Sequence, residues 1–225
     1  MTRPRAPELP GTFITLEGVD GSGKSTQAQR LARWVAEQGL EVVITREPGG
    51  SPVAERIREI LLDPGSPMGW ETEVLLYLAS RAEHVRRLLR PALEAGKVVV
   101  CDRFLDSTLA YQAYGRDTGR RSAENVGAIR EANELATGGI APELTLLLDI
   151  DPVRGLQRTR DAGRGPDRLE GEGKDFLERV RRGFLVLAEA SEGRIRVIDA
   201  DRPPEVIEEE IRTIIRAHLG RKGLL

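Results

Sequence analysis

The sequence predicts an α/β fold, a parallel sheet covered on both faces by helices and organised around a phosphate-binding loop. Three observations predict it. Gly18-Val19-Asp20-Gly21-Ser22-Gly23-Lys24-Ser25 fits the pattern G-x-x-x-x-G-K-[ST] at each specified position. Short, continuous apolar runs alternate with helical patterns, as expected for strands buried on both faces. The third such run ends in an acid and an arginine, Asp102-Arg103, at the sheet edge where the glycine loop also sits.

Residues 13–17 are apolar and β-rich and lead directly into the glycine loop. Residues 25–38 read as a helix that Gly39 stops. Residues 41–45 form the second strand. Ser51-Pro52 offers an N-cap and a proline at the first helical position, opening a helix to about Asp63. A long helix runs from about Glu71 to Leu89, where Pro91 interrupts its continuation. Residues 98–101 are the third strand. Ser122 caps a helix to about Thr137, stopped by Gly138-Gly139. Residues 145–149 are the fourth strand, and Asp151-Pro152 repeats the cap-and-proline device after it. Residues 195–199 are the fifth strand, and an amphipathic helix over residues 207–218 follows.

At 225 residues the chain is sized for one domain, taken here as residues 11–219 with a flexible N-terminal tail at 1–10 and a C-terminal tail at 220–225. A net charge of −2 gives no general basic field for nucleic acid. The single cysteine, Cys101, excludes an intramolecular disulfide and fits a reducing, cytoplasmic compartment. No apolar run has the length of a membrane span. His84 and His218 read as surface or packing residues, and Trp34 and Trp70 as packing.

The chemistry concentrates at the strand ends. Loop glycines let backbone N–H groups turn inward onto a phosphate, and the following helix N-terminus adds partial positive charge. Lys24 reaches β- and γ-phosphates, and the Ser25 hydroxyl is a ligand for Mg²⁺. Asp102 either holds Mg²⁺, directly or through water, or caps a helix. Arg103 and Arg46, both at strand ends, are phosphate clamps; for Arg46 an incidental surface arginine is the alternative. Residues 158–174 are glycine-rich, charged and nearly free of apolar side chains. They read as an exposed, mobile lid with phosphate-neutralising arginines, or as a solvated loop.

Lys24, Arg46 and Arg103 exceed the needs of one triphosphate, so two phosphate-bearing ligands are expected. A phosphate acceptor, with its second pKa near about 6, needs no strong base. A hydroxyl acceptor would need one, with Glu47 the candidate, so a deoxynucleoside kinase stays open. A nucleotide switch is the alternative outside that class; the absence of an Asn-Lys-x-Asp segment counts against a GTPase.

These motifs, FITLEGVDGSGKST, TREPGG, TEVLLYLASR, DRFLDSTLAYQ, APELTLLLDID and VIDA, resemble the bacterial type of thymidylate kinase from about Gly11 to Leu219. The resemblance implies a P-loop nucleoside monophosphate kinase fold, five parallel strands surrounded by helices with a mobile lid. It implies transfer of the ATP γ-phosphoryl group to thymidine 5′-monophosphate (dTMP), with ATP as co-substrate, Mg²⁺ as cofactor and a homodimeric assembly. It places ATP on Gly18, Val19, Asp20, Gly21, Ser22, Gly23, Lys24, Ser25 and Thr26, with Ala200 beside the adenine. It places dTMP against Asp20, Arg46, Tyr77 (stacking on the base), Arg81 (at the base edge), Arg103, Ser107, Thr108, Tyr111 (against the sugar) and Gln112. Some members carry a loop arginine; here Gly21 takes that position, and Arg158, Arg160 and Arg164 of the lid are implied instead, with Arg168 matching a lid motif. Phe104 and Leu109 depart from the common pattern.

Overall fold

The computed structural model describes residues 9–116, 122–163 and 168–225. The expected 1–10 tail falls mostly outside these residues. A five-stranded sheet has the order β2-β3-β1-β4-β5 with every pairing parallel. The strands are β1 Thr12–Glu17, β2 Val42–Arg46, β3 Val98–Asp102, β4 Leu144–Asp149 and β5 Ile195–Asp199. The three inner strands are almost wholly buried, and the two edge strands are mixed. That is why the inner runs are continuously apolar while the edges carry exposed polar positions.

Alternation along the strands divides the core. Ile14, Leu16, Val98 and Val100 enter the larger cluster, with Leu146, Leu148, Ile211 and Ile215. Phe13, Val99 and Cys101 enter a second cluster with Val85, Leu89, Leu93 and Phe104. Phe13 and Phe104 meet edge to face at 4.9 Å. Phe104 is fully buried, and its truncation to alanine costs about 3–5 kcal/mol.

Helix α1 (Lys24–Glu37) follows the loop, and α2 (Pro52–Leu62) is capped by Ser51, whose hydroxyl accepts from the Ala54 N–H. Helix α3 (Trp70–His84) does not end at Pro91. It widens into π-helical turns over Val85–Leu89 and continues as α4 (Arg90–Glu94). The widened ladder, with the Arg90 N–H bonded to the Val85 carbonyl, lets a residue without an N–H enter the helix. After the short α5 (Leu105–Thr108), a second π-helical segment spans Leu109–Gly115. Helices α6 (Ser122–Thr137), α7 (Pro152–Asp161), α8 (Lys174–Glu189) and α9 (Pro204–Arg221), with a 3-10 turn at Glu170–Glu172, complete the described elements. The Asp151 carboxylate caps α7 through the Val153 N–H at 2.9 Å. Beyond α9, Lys222 donates to the Gly11 carbonyl and the Glu143 carboxylate, which docks the chain end on the domain.

Strand order places β1 between β3 and β4, so the crevice at the carboxyl ends of these strands opens where the chain changes direction across the sheet. Register sets Leu16 beside Asp102 and Arg46 beside Asp102. The ends of β1, β2 and β3 thus deliver the glycine loop, Arg46 and Asp102-Arg103 to one place.

Candidate active site

The glycine loop turns through positive φ at Gly18 (139°), Gly21 (74°) and Gly23 (92°). Gly21 is constrained twice, because a Cβ there would lie 1.9 Å from the Gly155 carbonyl oxygen of α7. With α7 in this place, residue 21 has no room for a side chain. Lys24 is buried, and its Nζ donates to the Val19 carbonyl at 2.9 Å. Burial, with Arg103 nearby, pulls the Lys24 pKa down to about 8. The Ser25 hydroxyl donates to Asp102 Oδ2 at 2.5 Å. This pair of hard oxygen donors, one at the start of α1 and one at the end of β3, fits the demands of Mg²⁺.

Arg103 adopts φ 70°, a left-handed conformation uncommon outside glycine. Its backbone N–H donates to the Leu16 carbonyl, and its guanidinium donates to the Gly18 carbonyl at 2.8 Å and to Asp20 at 2.5 Å. Tyr111 lies under it at 5.1 Å and donates its hydroxyl to the other Asp20 oxygen at 3.0 Å. Burial alone would raise the Asp20 pKa; Arg103, Lys24 and the Tyr111 hydroxyl more than offset it, holding Asp20 ionised with a pKa of about 2. Arg103, Asp20 and Tyr111 thus form one rigid unit between the glycine loop and the facing wall.

Arg81 is fully buried within a set of acceptors. Its Nε donates to Glu47 at 2.8 Å, and its Nη1 donates to Thr108 at 2.9 Å and to Asn133 at 2.5 Å. Phe104 underlies it at 5.1 Å and supplies a ring surface for the guanidinium. The other Glu47 oxygen faces His84 Nδ1 at 2.9 Å, and His84 Nε2 meets the Thr45 hydroxyl at 2.8 Å. Glu47 is therefore not an idle base: both oxygens are committed and the side chain is 3% exposed. Nothing supports the nucleoside-kinase alternative. His84 is a wholly buried member of this network rather than a surface residue.

Tyr77 lies one turn before Arg81 on α3 and lines the same cleft. Arg46 is half-exposed and pairs with Glu55 at 3.0 Å. Ser107 donates its hydroxyl to Glu17, and the Gln112 amide donates to the buried Glu73 at 2.9 Å. Arg168 and Arg116 also end on Glu73.

The expected lid is only partly an exposed loop. Residues 158–161 are the last turn of α7. Arg158 donates to the Ala200 carbonyl and to Asp201, and Arg160 is exposed. Neither arginine lines the cleft, and nor does Ala200, whose own N–H bonds the Asp149 carbonyl. Arg164 lies outside the described residues. At the far side Leu169 is buried and lines the cleft, and Arg168 donates to the Leu61 carbonyl. The buried Glu73 carboxylate needs positive partners, and this draws residues 168–169 inward against their polar composition.

The cleft measures about 330 Å³ and is lined by Asp20, Gly21, Gly23, Lys24, Ser25, Thr26, Arg46, Tyr77, Arg81, Asp102, Arg103, Ser107, Thr108, Tyr111 and Gln112, among others. Arg58 also lines it, with its Nη1 on the Pro48 carbonyl and its pKa lowered by burial and by Arg46. Sequence reasoning missed Arg58, Glu17, Glu73 and Asn133. Nothing in local sequence marked them, since each acquires its role from residues distant along the chain. The arrangement can seat a polyphosphate on the loop, neutralise a second phosphate opposite it, and hold a flat ring over Tyr77.

A protein-family model described as thymidylate kinase matches residues 16–211. A thymidylate kinase of Deinococcus radiodurans is 50% identical over 204 residues, covering 89% of this chain and 94% of that protein. One of Symbiobacterium thermophilum is 46% identical over 211 residues, covering 93% and 95%. The crystal structure of thymidylate kinase from Ehrlichia chaffeensis superposes with a TM-score of 0.73 at 32% identity, covering 92% of this chain and 98% of that one.

Proposed function

The chain belongs to the thymidylate kinase family, and on that premise we propose how its cleft performs the transfer. The chain is an ATP-dependent nucleoside monophosphate kinase that converts dTMP to dTDP, with ADP as the other product. The single observation that carries the reading is the convergence of Lys24, Arg46, Arg58, Arg81 and Arg103 on one cleft, with Tyr77 beside them. ATP lies along residues 18–26, its terminal phosphates under the loop N–H groups and Lys24. The thymine stacks on Tyr77 with Arg81 at its edge, and Thr108 and Gln112 close the base pocket. Arg103 and Arg46 grip the dTMP phosphate.

The dTMP phosphate is its own nucleophile, so positioning and charge neutralisation supply the catalysis. Ser25 and Asp102 would hold Mg²⁺, which would supply positive charge against the negative charge of the transferring group. Asp20, fixed by Arg103 and Tyr111, orients the acceptor phosphate against the loop. Tyr111, held by its hydroxyl on Asp20, leaves no room for a sugar 2′-hydroxyl. The resemblance assigns neutralisation of the transferring group to Arg158, Arg160 and Arg164; Arg158 and Arg160 stand on the last turn of α7 outside the cleft, so Arg158 would exchange its bonds to the Ala200 carbonyl and Asp201 for the phosphate, with Ala200 toward the adenine.

Leu75 and Leu135, 64% and 86% exposed on α3 and α6, which pack on each other, support a homodimer formed through these helices. No helix among the described residues is long and apolar enough to cross a membrane, and the lone buried thiol suits a cytoplasmic location.

An ADP-release assay with ATP and Mg²⁺, offering dTMP, dUMP and thymidine in parallel, tests the reading. Turnover is expected with dTMP. Arg103→Ala should raise the KM for dTMP by about a hundredfold and leave that for ATP within a few-fold, the loss expected for a charged clamp. An effect confined to ATP would overturn the assignment of Arg103.

A further inference from the structure

Glu17 ends β1, immediately before the glycine loop, and is fully buried. Its carboxylate does not point at the loop. One oxygen accepts the Phe104 N–H at 2.7 Å and the Ser107 N–H at 3.3 Å, and the other accepts the Ser107 hydroxyl at 2.5 Å. These N–H groups open α5, the segment that begins right after Arg103, and the Ser107 N–H is shared with the Phe104 carbonyl at 3.1 Å. The Ser107 oxygen in turn accepts from Arg103 Nη1 at 3.3 Å. A chain therefore runs from the Arg103 guanidinium through the Ser107 hydroxyl to Glu17, crossing from the acceptor wall to the strand that carries the donor loop.

We propose that Glu17 is a positioning residue for the acceptor-phosphate clamp, holding the left-handed turn at Arg103 and orienting its guanidinium through Ser107. Left-handed backbone at a non-glycine residue persists only where its surroundings fix it. At Arg103 the fixing bonds are the N–H to Leu16 on one side and the Glu17 bonds to Phe104 and Ser107 on the other. The carboxylate is required, not merely a polar group. The Ser107 hydroxyl donates to one Glu17 oxygen while its own oxygen receives Arg103, and the other Glu17 oxygen receives the backbone N–H groups. An amide has one oxygen for these two tasks, so with its oxygen on the N–H groups the Ser107 proton loses its acceptor and the hydroxyl turns.

The titratable and charged groups facing Glu17 are Asp106 from α5, Arg103 before it, Lys24 from α1, the neutral Cys101 thiol from β3 and Arg194 just before β5. Burial and Asp106 raise the Glu17 pKa to about 7. Folding thus favours the protonated form, and the stability this contributes is present below pH 4.5 and lost as pH rises through about 7. A neutral glutamine forgoes that loss, so Glu17→Gln is expected to remain folded at pH 8.

The inference rests on Arg103 gripping the dTMP phosphate, and the two fail separately. At pH 8, Glu17→Gln should raise the KM for dTMP by about tenfold while the KM for ATP stays within about twofold. Ser107→Ala should show the same split, and the double variant should be no worse than the larger single. In an Arg103→Ala background, Glu17→Gln should add nothing. An unchanged dTMP KM in Glu17→Gln overturns the proposal, as does a parallel rise for both substrates with a lowered Tm. If Glu17→Gln does not fold, Ser107→Ala decides: a dTMP-selective rise that vanishes in the Arg103→Ala background supports the relay, and one that persists there overturns it. An Arg103→Ala enzyme with unaltered dTMP KM would instead refute the clamp itself.

Discussion

Lys24 is a cation held in a place that disfavours its charge. Its ammonium donates to the Val19 carbonyl and, at 3.4 Å, to the Ser22 hydroxyl, and burial has drawn its pKa to about 8. A polyphosphate arriving on the loop restores the preference for the ammonium. ATP binding at pH 8 should therefore take up about half a proton, falling toward zero at pH 6.5 where Lys24 is already charged. Calorimetry in two buffers of different ionisation enthalpy reads this directly, and Lys24→Ala should abolish both the uptake and nearly all turnover. Equal heats in the two buffers at pH 8 would contradict the buried-lysine account. Arg81 illustrates the opposite case. It is buried with acceptors supplied by Glu47, Thr108 and Asn133, so its charge is compensated in advance and its geometry is fixed before any ligand arrives.

At the scale of elements, α7 does more than connect β4 to the lid segment. Gly155 packs so closely on the loop that a Cβ there would stand 2.3 Å from the Asp20 carbonyl oxygen. Gly155→Ala should destabilise the fold by about 2 kcal/mol and raise the KM for ATP, because backbone on both sides has to move. Denaturant unfolding with steady-state kinetics checks it; an unaffected variant would mean the contact is slack. The glycine loop, the strands and the two cap-and-proline helix starts were legible in the sequence because each is local: a spacing, an apolar run, a Ser-Pro or Asp-Pro pair. The π-helical turns at Val85–Leu89 and Leu109–Gly115 were not, since an i→i+5 ladder leaves no period in the residues and Pro91 argued for a stop. Leu169 and Arg168 were read as exposed because their neighbours are polar. Their burial answers Glu73, about a hundred residues earlier, which local composition does not record.

For the whole molecule, the strand order gathers the ends of β1, β2 and β3 at one crevice, so residues from 18 to 112 meet without any long loop spanning the sheet. The opposite concern is the outside surface, where Leu75 and Leu135 stand in water. Sedimentation should find the parent chain at twice its 24.8 kDa mass. The double substitution Leu75→Glu, Leu135→Glu should move it to the monomer, with turnover as the secondary readout; a parent that sediments as a monomer would dismiss the dimer. The carboxylates that line the cleft each hold a donor: Asp20 takes Arg103 and Tyr111, Glu47 takes Arg81 and His84, and one oxygen of Asp102 takes the Ser25 hydroxyl. Solvent is the competitor that no binding pocket excludes by affinity, and a water molecule must surrender a proton to attack phosphorus. Among carboxylates already engaged by donors it is poorly served, whereas the acceptor phosphate arrives already ionised and needs no base.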